Sequence, residues 1–327
     1  MLTRRALTAA IPLVLAAPAS AAPGFSAFLA GVRAEAAARG IAPGVLSAAL
    51  GGLAPDPKVL KLDRHQPEFT MTWAHYSALL ITRTRIDAGR AAYRAHRALF
   101  HQIATRFGVA PGPILGIWGL ESNYGATTGN FGVVDALATL AWGSGRKTFF
   151  RKELIAALRI LNTGDITPAQ MTGSWAGAMG QPQFMPSAYL DYAVDITGTG
   201  RRDIWHSVPD VLASIANYLA GSGWRRGQGW GVPAVVLPGF AGAGTRPEAA
   251  WRQLGVVPMG APGGAPGGAP GGAPGGAVPP GPLALVRPAG TTGPAYLVGS
   301  NFAAIRRYNP SDFYALVVGL LGDRIVA

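Results

Sequence analysis

The chain has 327 residues, 49% hydrophobic and 13% charged, with 46 Gly, 27 Pro and no Cys. That balance excludes wholesale disorder, a collagen-like chain and a disulfide-stapled miniprotein, and it removes thiol catalysis, iron–sulfur clusters, thiolate zinc and lipid attachment through cysteine. Lys and Arg number 28 against 16 Asp and Glu, a formal net charge of +12 that favours polyanions: nucleic acid, anionic lipid or an acidic wall polymer.

Residues 1–21 read as an export signal, with the pair Arg4-Arg5, an apolar stretch at 6–17 and the small-residue cleavage site Ala19-Ser20-Ala21. Thr3-Arg4-Arg5 is similar to a twin-arginine signal, with Leu7 where that signal often carries Phe. The apolar stretch falls short of the ~20 residues a spanning helix needs and contains Pro12, so no stable membrane anchor is expected. Removing the signal takes away two Arg and no acid. The exported chain stays strongly basic, a periplasmic location is expected, and nucleic acid becomes the least favoured partner.

Residues 25–53 predict two short helices divided at Pro43-Gly44. Residues 62–109 carry apolar side chains at three-to-four spacing and predict long helix. Pro111 and Pro113 then open a helix through ILGIWGLESNYG, which Gly125 can close in a left-handed cap. Further helices are predicted at 151–161, at 168–171 behind Thr167 as N-cap, and at 208–219. After Trp230, VPAVVLPGF and PAYLVGS read as short strands. Between them residues 260–282 form an Ala-Pro-Gly-Gly array, too poor in bulky apolar groups to pack and expected as a flexible surface loop. Residues 301–325 return to helix.

The expected architecture is mainly α, of the α+β kind. A helical region at 22–107 precedes a second helical region at 108–230. A small β-containing subdomain at 231–300 carries the 260–282 loop, and a C-terminal segment at 301–327 follows.

HExxH, GxxxxGK[ST], GxSxG and a strand-to-helix GxGxxG are missing from the sequence, and His65, His75, His96, His101 and His206 show no metal-ligand spacing. What stands out is Glu121, the only carboxylate between Asp87 and Asp135, set at the end of the apolar run 114–120. There the negative end of the helix dipole and exclusion of water by Trp118 both favour the neutral acid, raising its pKa and equipping it to donate a proton near neutral pH. The competing reading is a solvent-facing glutamate at a helix end. A second cluster, residues 173–195, sets the neutral polar side chains of Ser174, Gln181, Gln183, Ser187 and Tyr189 among Trp175, Phe184 and Tyr192. Neutral polar groups with aromatic rings suit a carbohydrate cleft; a Gly-rich turn packed on a helix is the alternative.

GIWGLESNYG, followed in order by DALATLAW, FFRKELIAALRIL, SWAGAMGQPQFMPSAYLDYAVD and IWHSVPDVLASIANYL, resembles the lytic murein transglycosylase B family, glycoside hydrolase family 103. QPEFTMTW upstream and RRYNPSDFYAL downstream extend the resemblance over nearly the whole chain. It implies a lysozyme-like helical catalytic core flanked by a helical domain and a small β domain. Glu121 falls at the family's catalytic acid/base, Ser174 and Gln183 at positions that contact the glycan, and Tyr308 and Asn309 at a pair lining the cleft. The implied substrate is the glycan strand of peptidoglycan, cut at the MurNAc–GlcNAc β-1,4 bond to leave a 1,6-anhydro-MurNAc end.

Two features depart from that pattern. The family's calcium loop falls at residues 195–206, where an EF-hand-type loop needs oxygen ligands at alternating positions and a bidentate acid at the twelfth; Thr199 and Arg201 stand at alternating positions and His206 at the twelfth. No cofactor is therefore expected, with calcium at Asp195–His206 as the alternative. The chain also lacks the cysteine on which lipoprotein members are acylated. A hydrolytic muramidase, with Asp135 or Asp191 as second carboxylate rather than a helix cap, and a non-catalytic peptidoglycan-binding scaffold are the alternative functions.

Overall fold

In the computed structural model, residues 24–64, 71–259 and 277–327 are described; the expected export signal and most of the Ala-Pro-Gly-Gly array lie outside them. Helix α1 (Phe25–Ala38) and helix α2 (Pro43–Leu50) form as the Pro43 break predicts. Helix α3 (Pro57–Arg64) follows, its first turn held by the Asp56 carboxylate, which accepts from the Lys58 amide at 2.7 Å.

The expected long helix over 62–109 is instead broken into α4 (Trp73–Leu80), α5 (Arg83–Ala95) and α6 (Arg97–Phe107) after α3. The breaks are made by side chains that compete with the helix for its own amides. Thr72 accepts from the His75 N–H and Thr82 from the Arg85 N–H, each starting a new helix. His96 leaves helical geometry between α5 and α6, and Gly108 ends α6 at φ 74.

Helix α7 (Pro111–Ser122) opens on proline and is followed by strand β1 (Phe131–Gly132). Its left-handed ending begins at Asn123, φ 49, and Tyr124, φ 59, two residues before the expected Gly125. Helices α8 (Val133–Gly143) and α9 (Lys147–Thr163) separate β1 from strand β2 (Thr172–Gly173), with which it pairs antiparallel. The helix expected at 168–171 is only a turn, closed by the Gln170 and Met171 amides on the Thr167 carbonyl. Helices α10 (Pro186–Tyr192) and α11 (Val208–Gly221) complete this region.

Strands β3 (Gly231–Val236) and β4 (Thr245–Arg246), helix α12 (Glu248–Gln253), and strands β5 (Val256–Pro258), β6 (Leu283–Val286) and β7 (Ala295–Val298) form the β subdomain. Its antiparallel sheet has the order β4-β6-β7-β3-β5. On one face Val232, Val256, Leu283 and Leu297 enclose the buried Trp251. On the other, Tyr296 and Val298 join the main core, which runs continuously from Phe25 to Ile325.

The tail forms α13 (Ser300–Tyr308) and α14 (Asp312–Val326). Helix α14 lies antiparallel on α7 across glycines: a Cβ on Gly116 would sit 2.3 Å from the Val318 carbonyl oxygen, and one on Gly322 2.3 Å from that of Gly112. That register, continued one helical turn, brings residue 314 beside residue 121.

Candidate active site

Glu121 occupies the last turn of α7, three residues after the buried Trp118. The indole N–H of Trp118 donates to Gln181 Oε1 at 2.8 Å, and Gln181 Nε2 donates to the Trp205 carbonyl at 2.9 Å, tying α7 to the loop that follows β2. The chain after Glu121 turns sharply because the Ser122 hydroxyl accepts from the Gly125 amide and the Ser122 carbonyl from Thr127.

Across the α7–α14 contact, the Tyr314 hydroxyl donates to Glu121 Oε1 at 2.6 Å. Burial pushes the Glu121 carboxyl up from 4.5 to about 7, and the Tyr314 bond opposes that rise by favouring the carboxylate. The same burial, with the charge of Glu121, holds the Tyr308 and Tyr314 phenols well above their usual range. Both are therefore neutral donors near neutral pH.

Tyr308, at the end of α13, stacks on Tyr314 with ring centres 6.5 Å apart and planes 13° from parallel. Its hydroxyl donates to the Pro182 carbonyl at 2.6 Å. Tyr218 and Phe184 pack against it at 4.6 and 5.7 Å, and Tyr192 against Tyr218 at 4.6 Å, so one aromatic wall runs from Glu121 to α11.

The other expected residues surround this wall in supporting positions. Gln183 adopts a left-handed φ of 52, and its Nε2 donates to the carbonyls of Gly180 and Thr128 at 2.8 and 2.9 Å, joining the loops after α7 and β2. Ser174 closes a tight turn in which its hydroxyl accepts from the Ala178 amide. Asn309 Oδ1 accepts from the Ser311 amide at 3.1 Å and shapes the entry to α14. The geometry thus brings Glu121 and Tyr308 together, whereas Ser174, Gln183 and Asn309 each hold backbone.

Sequence reasoning missed Tyr314, Tyr218 and the burial of Gln181. Tyr314 lies six residues beyond Tyr308 within the quoted block RRYNPSDFYAL, and it was legible there only as helix. Asp135 is exposed in the first turn of α8, where a carboxylate suits the dipole. Asp191 is exposed in the last turn of α10, at the wrong end of the dipole, so the expected cap there is not formed.

The loop at residues 195–206 is braced by hydrogen bonds to its own carboxylates. Asp195 Oδ1 already accepts from Thr197, Gly198 and Thr199 and its Oδ2 from Gly200, while Asp203 Oδ1 serves the Trp205 and His206 amides. Among the described residues no three His, Cys, Asp or Glu side chains are grouped to hold a metal.

A helical domain with one near-neutral glutamic acid hydrogen-bonded to a stacked tyrosine pair defines a glycan-cleaving enzyme of the lysozyme-like kind. The match to known proteins narrows this: the chain belongs to the transglycosylase SLT domain family, whose pattern covers residues 24–323. It is 32% identical over 256 residues to the membrane-bound lytic murein transglycosylase B of Escherichia coli K12, covering 77% of this chain and 67% of that protein. SltB3 of Pseudomonas aeruginosa, solved in complex with NAG-anhNAM-pentapeptide, is 40% identical with a TM-score of 0.84, over 93% of this chain and 80% of that one. The Escherichia coli lytic transglycosylase SLT35, solved in complex with calcium, is 29% identical with a TM-score of 0.75, over 93% of both chains.

Proposed function

We propose that this lytic transglycosylase cuts the MurNAc–GlcNAc β-1,4 bond of peptidoglycan with Glu121 as its only acid/base, leaving 1,6-anhydro-MurNAc ends. Cleavage of peptidoglycan glycan strands follows from the family; the single-acid chemistry is carried by the surroundings of Glu121. Among the described residues its carboxyl accepts from the Tyr314 hydroxyl and pairs with no other carboxyl, and burial lifts its pKa to about 7, whereas ordinary glycosidases set a second carboxyl ~5–9.5 Å from the acid.

The second nucleophile is then the substrate's own. Protonated Glu121 donates to the glycosidic oxygen as the bond to the MurNAc anomeric carbon breaks, and the developing oxocarbenium charge is relieved by the N-acetyl group. The C6 hydroxyl closes on that carbon and returns its proton to the Glu121 carboxylate, which restores the acid without water. A pKa of about 7 suits a group that must give and take a proton in one cycle. Ser174, Gln183, Tyr308 and Asn309 are assigned to the glycan-binding walls.

These steps call on no metal, and the loop at 195–206, where Asp195 accepts from three backbone amides and the Thr197 hydroxyl, is assigned a structural role without calcium. The basic charge and the N-terminal sequence support export to the periplasm with cleavage after residue 21, and no described helix is long and apolar enough to cross a membrane. Mass analysis of digested sacculi tests the reading, since anhydro-muropeptides lie one water lighter than hydrolysis products. Products bearing reducing MurNAc ends would assign a muramidase, and no products at all would leave a binding protein.

A further inference from the structure

The excess positive charge is not spread evenly. Between Asp87 and Asp135 the only acid is Glu121, and between Asp210 and Glu248 there is none. These two stretches meet on one face. Helix α6 buries Phe100 and Ile103 and exposes the opposite stripe, Arg97, Ala98, His101, Gln102, Thr105 and Arg106.

The loop after α11 joins that stripe: Arg226 Nη2 donates to the Thr105 carbonyl at 2.9 Å, and a Cβ on Gly108 would sit 2.9 Å from Arg226 Nε. Buried Asn301 fixes the loop, accepting from the Arg225 amide at 2.6 Å and donating to the Arg225 and Gln228 carbonyls at 3.0 and 2.7 Å. Arg94, Arg97, Arg106, Arg225 and Arg226 are exposed, and among the described residues none of them has a carboxylate partner.

Unpaired guanidinium groups held on a rigid face are poised for carboxylates, which they can grip in bidentate fashion. The Arg106–Arg226 end of the face sits at the N-terminal end of α7, ten residues before Glu121, which is about 15 Å along the helix, whereas Arg97 follows His96, whose ring lies 6.3 Å from that of Trp118.

We propose that this arginine face is a second docking surface that holds the peptide-stem carboxylates of the peptidoglycan network while the cleft works on a glycan strand. The proposal rests on peptidoglycan being the substrate. A peptide stem ends in at least one carboxylate, and stems recur along every strand, so several weak pairs act together: exposed pairs are individually weak, but linked ones raise overall avidity. The stripe on α6 exposes no large apolar side chain, which favours a hydrated polyanion over the insertion a lipid surface requires.

The test measures co-sedimentation of the mature protein with intact sacculi at 4 °C, for the wild type and for the variant R106Q/R225Q/R226Q. A parallel arm uses sacculi whose carboxylates have been amidated, and another uses phosphatidylglycerol vesicles. The expected result is binding to native sacculi about tenfold weaker in the variant, a comparable loss for wild type on amidated sacculi, and cleavage of short soluble glycan fragments within twofold of wild type. Wild-type binding that is indifferent to amidation overturns the proposal whether or not the variant folds. Unchanged binding of a folded variant to native sacculi overturns it as well, as does a loss confined to the vesicles. If wild type fails to cleave the soluble fragments, the assigned activity fails instead, and the amidation arm still decides the docking face.

Discussion

Replacing Tyr314 by Phe removes one oxygen from the site and leaves the ring that stacks on Tyr308. The lost bond, 2.6 Å from Tyr314 to Glu121 Oε1, stabilises the carboxylate against the burial that pushes its pKa to about 7. A hydrogen bond to a charged group is worth ~1.5–3 kcal/mol. At 1.36 kcal/mol per pKa unit, its loss raises the Glu121 pKa by about one to two units. Glu121 must be protonated to begin the reaction, so activity falls as pH rises through its pKa, and a higher pKa carries that fall to higher pH. The measurement is kcat/KM against pH on soluble glycan fragments. The alkaline limb of Tyr314→Phe should lie about one to two pH units above that of the parent. Tyr308→Phe serves as control: its hydroxyl bonds the Pro182 carbonyl, not Glu121, and its limb should stay near the parental one. A limb that stays in place in Tyr314→Phe, or moves to lower pH, refutes the assignment of Glu121 as the acid under Tyr314 control.

Glu121→Gln should lower wall lysis by roughly 10²–10⁴-fold, the usual worth of general acid/base catalysis, while folding normally; release of soluble muropeptides measures it. The same variant carries a stability signature. The folded state holds its proton up to about 7 and the unfolded chain only to about 4.5, so the parent loses stability as pH rises between those values. The Tm of Glu121→Gln relative to the parent should therefore rise from pH 4 to pH 8; a difference independent of pH would contradict burial of an ionisable carboxyl. Gly116→Ala places a methyl 2.3 Å from the Val318 carbonyl oxygen, which must part α7 from α14. It should cost about 1–3 kcal/mol, as overpacking does, read by denaturant unfolding, and weaken activity beyond its effect on stability by moving Tyr314. Calcium in large excess should leave the Tm unchanged, because a ligand at 100 times its Kd would add about 2.7 kcal/mol and the loop at 195–206 has its carboxylates occupied.

Much of the site was legible in the sequence because the signals there are local. A lone acid closing an apolar helix that starts on proline marks Glu121 as desolvated from one segment alone, and Tyr308 and Asn309 stand in a contiguous block. The Pro43 break and the strands at 231–236 and 295–298 follow from neighbours within a few residues. The division of residues 62–109 was less legible: Thr72 and Thr82 act as caps only where packing lets the chain leave the helix, and apolar spacing alone cannot show that.

What the sequence by itself determined is the helical class, the lone acid closing α7 and the blocks that place the chain in a family. What only the tertiary structure decided is the environment that makes the acid useful. Tyr314 reaches Glu121 across 193 residues of chain because glycines at 112, 116 and 322 let α7 and α14 pack backbone to backbone in one register. The arginines of α6 and of the loop after α11 become one face because Arg226 and Asn301 fasten that loop in place. Helix propensity and capping act over a turn or two, whereas these partners are chosen by packing, which no spacing within a single segment records.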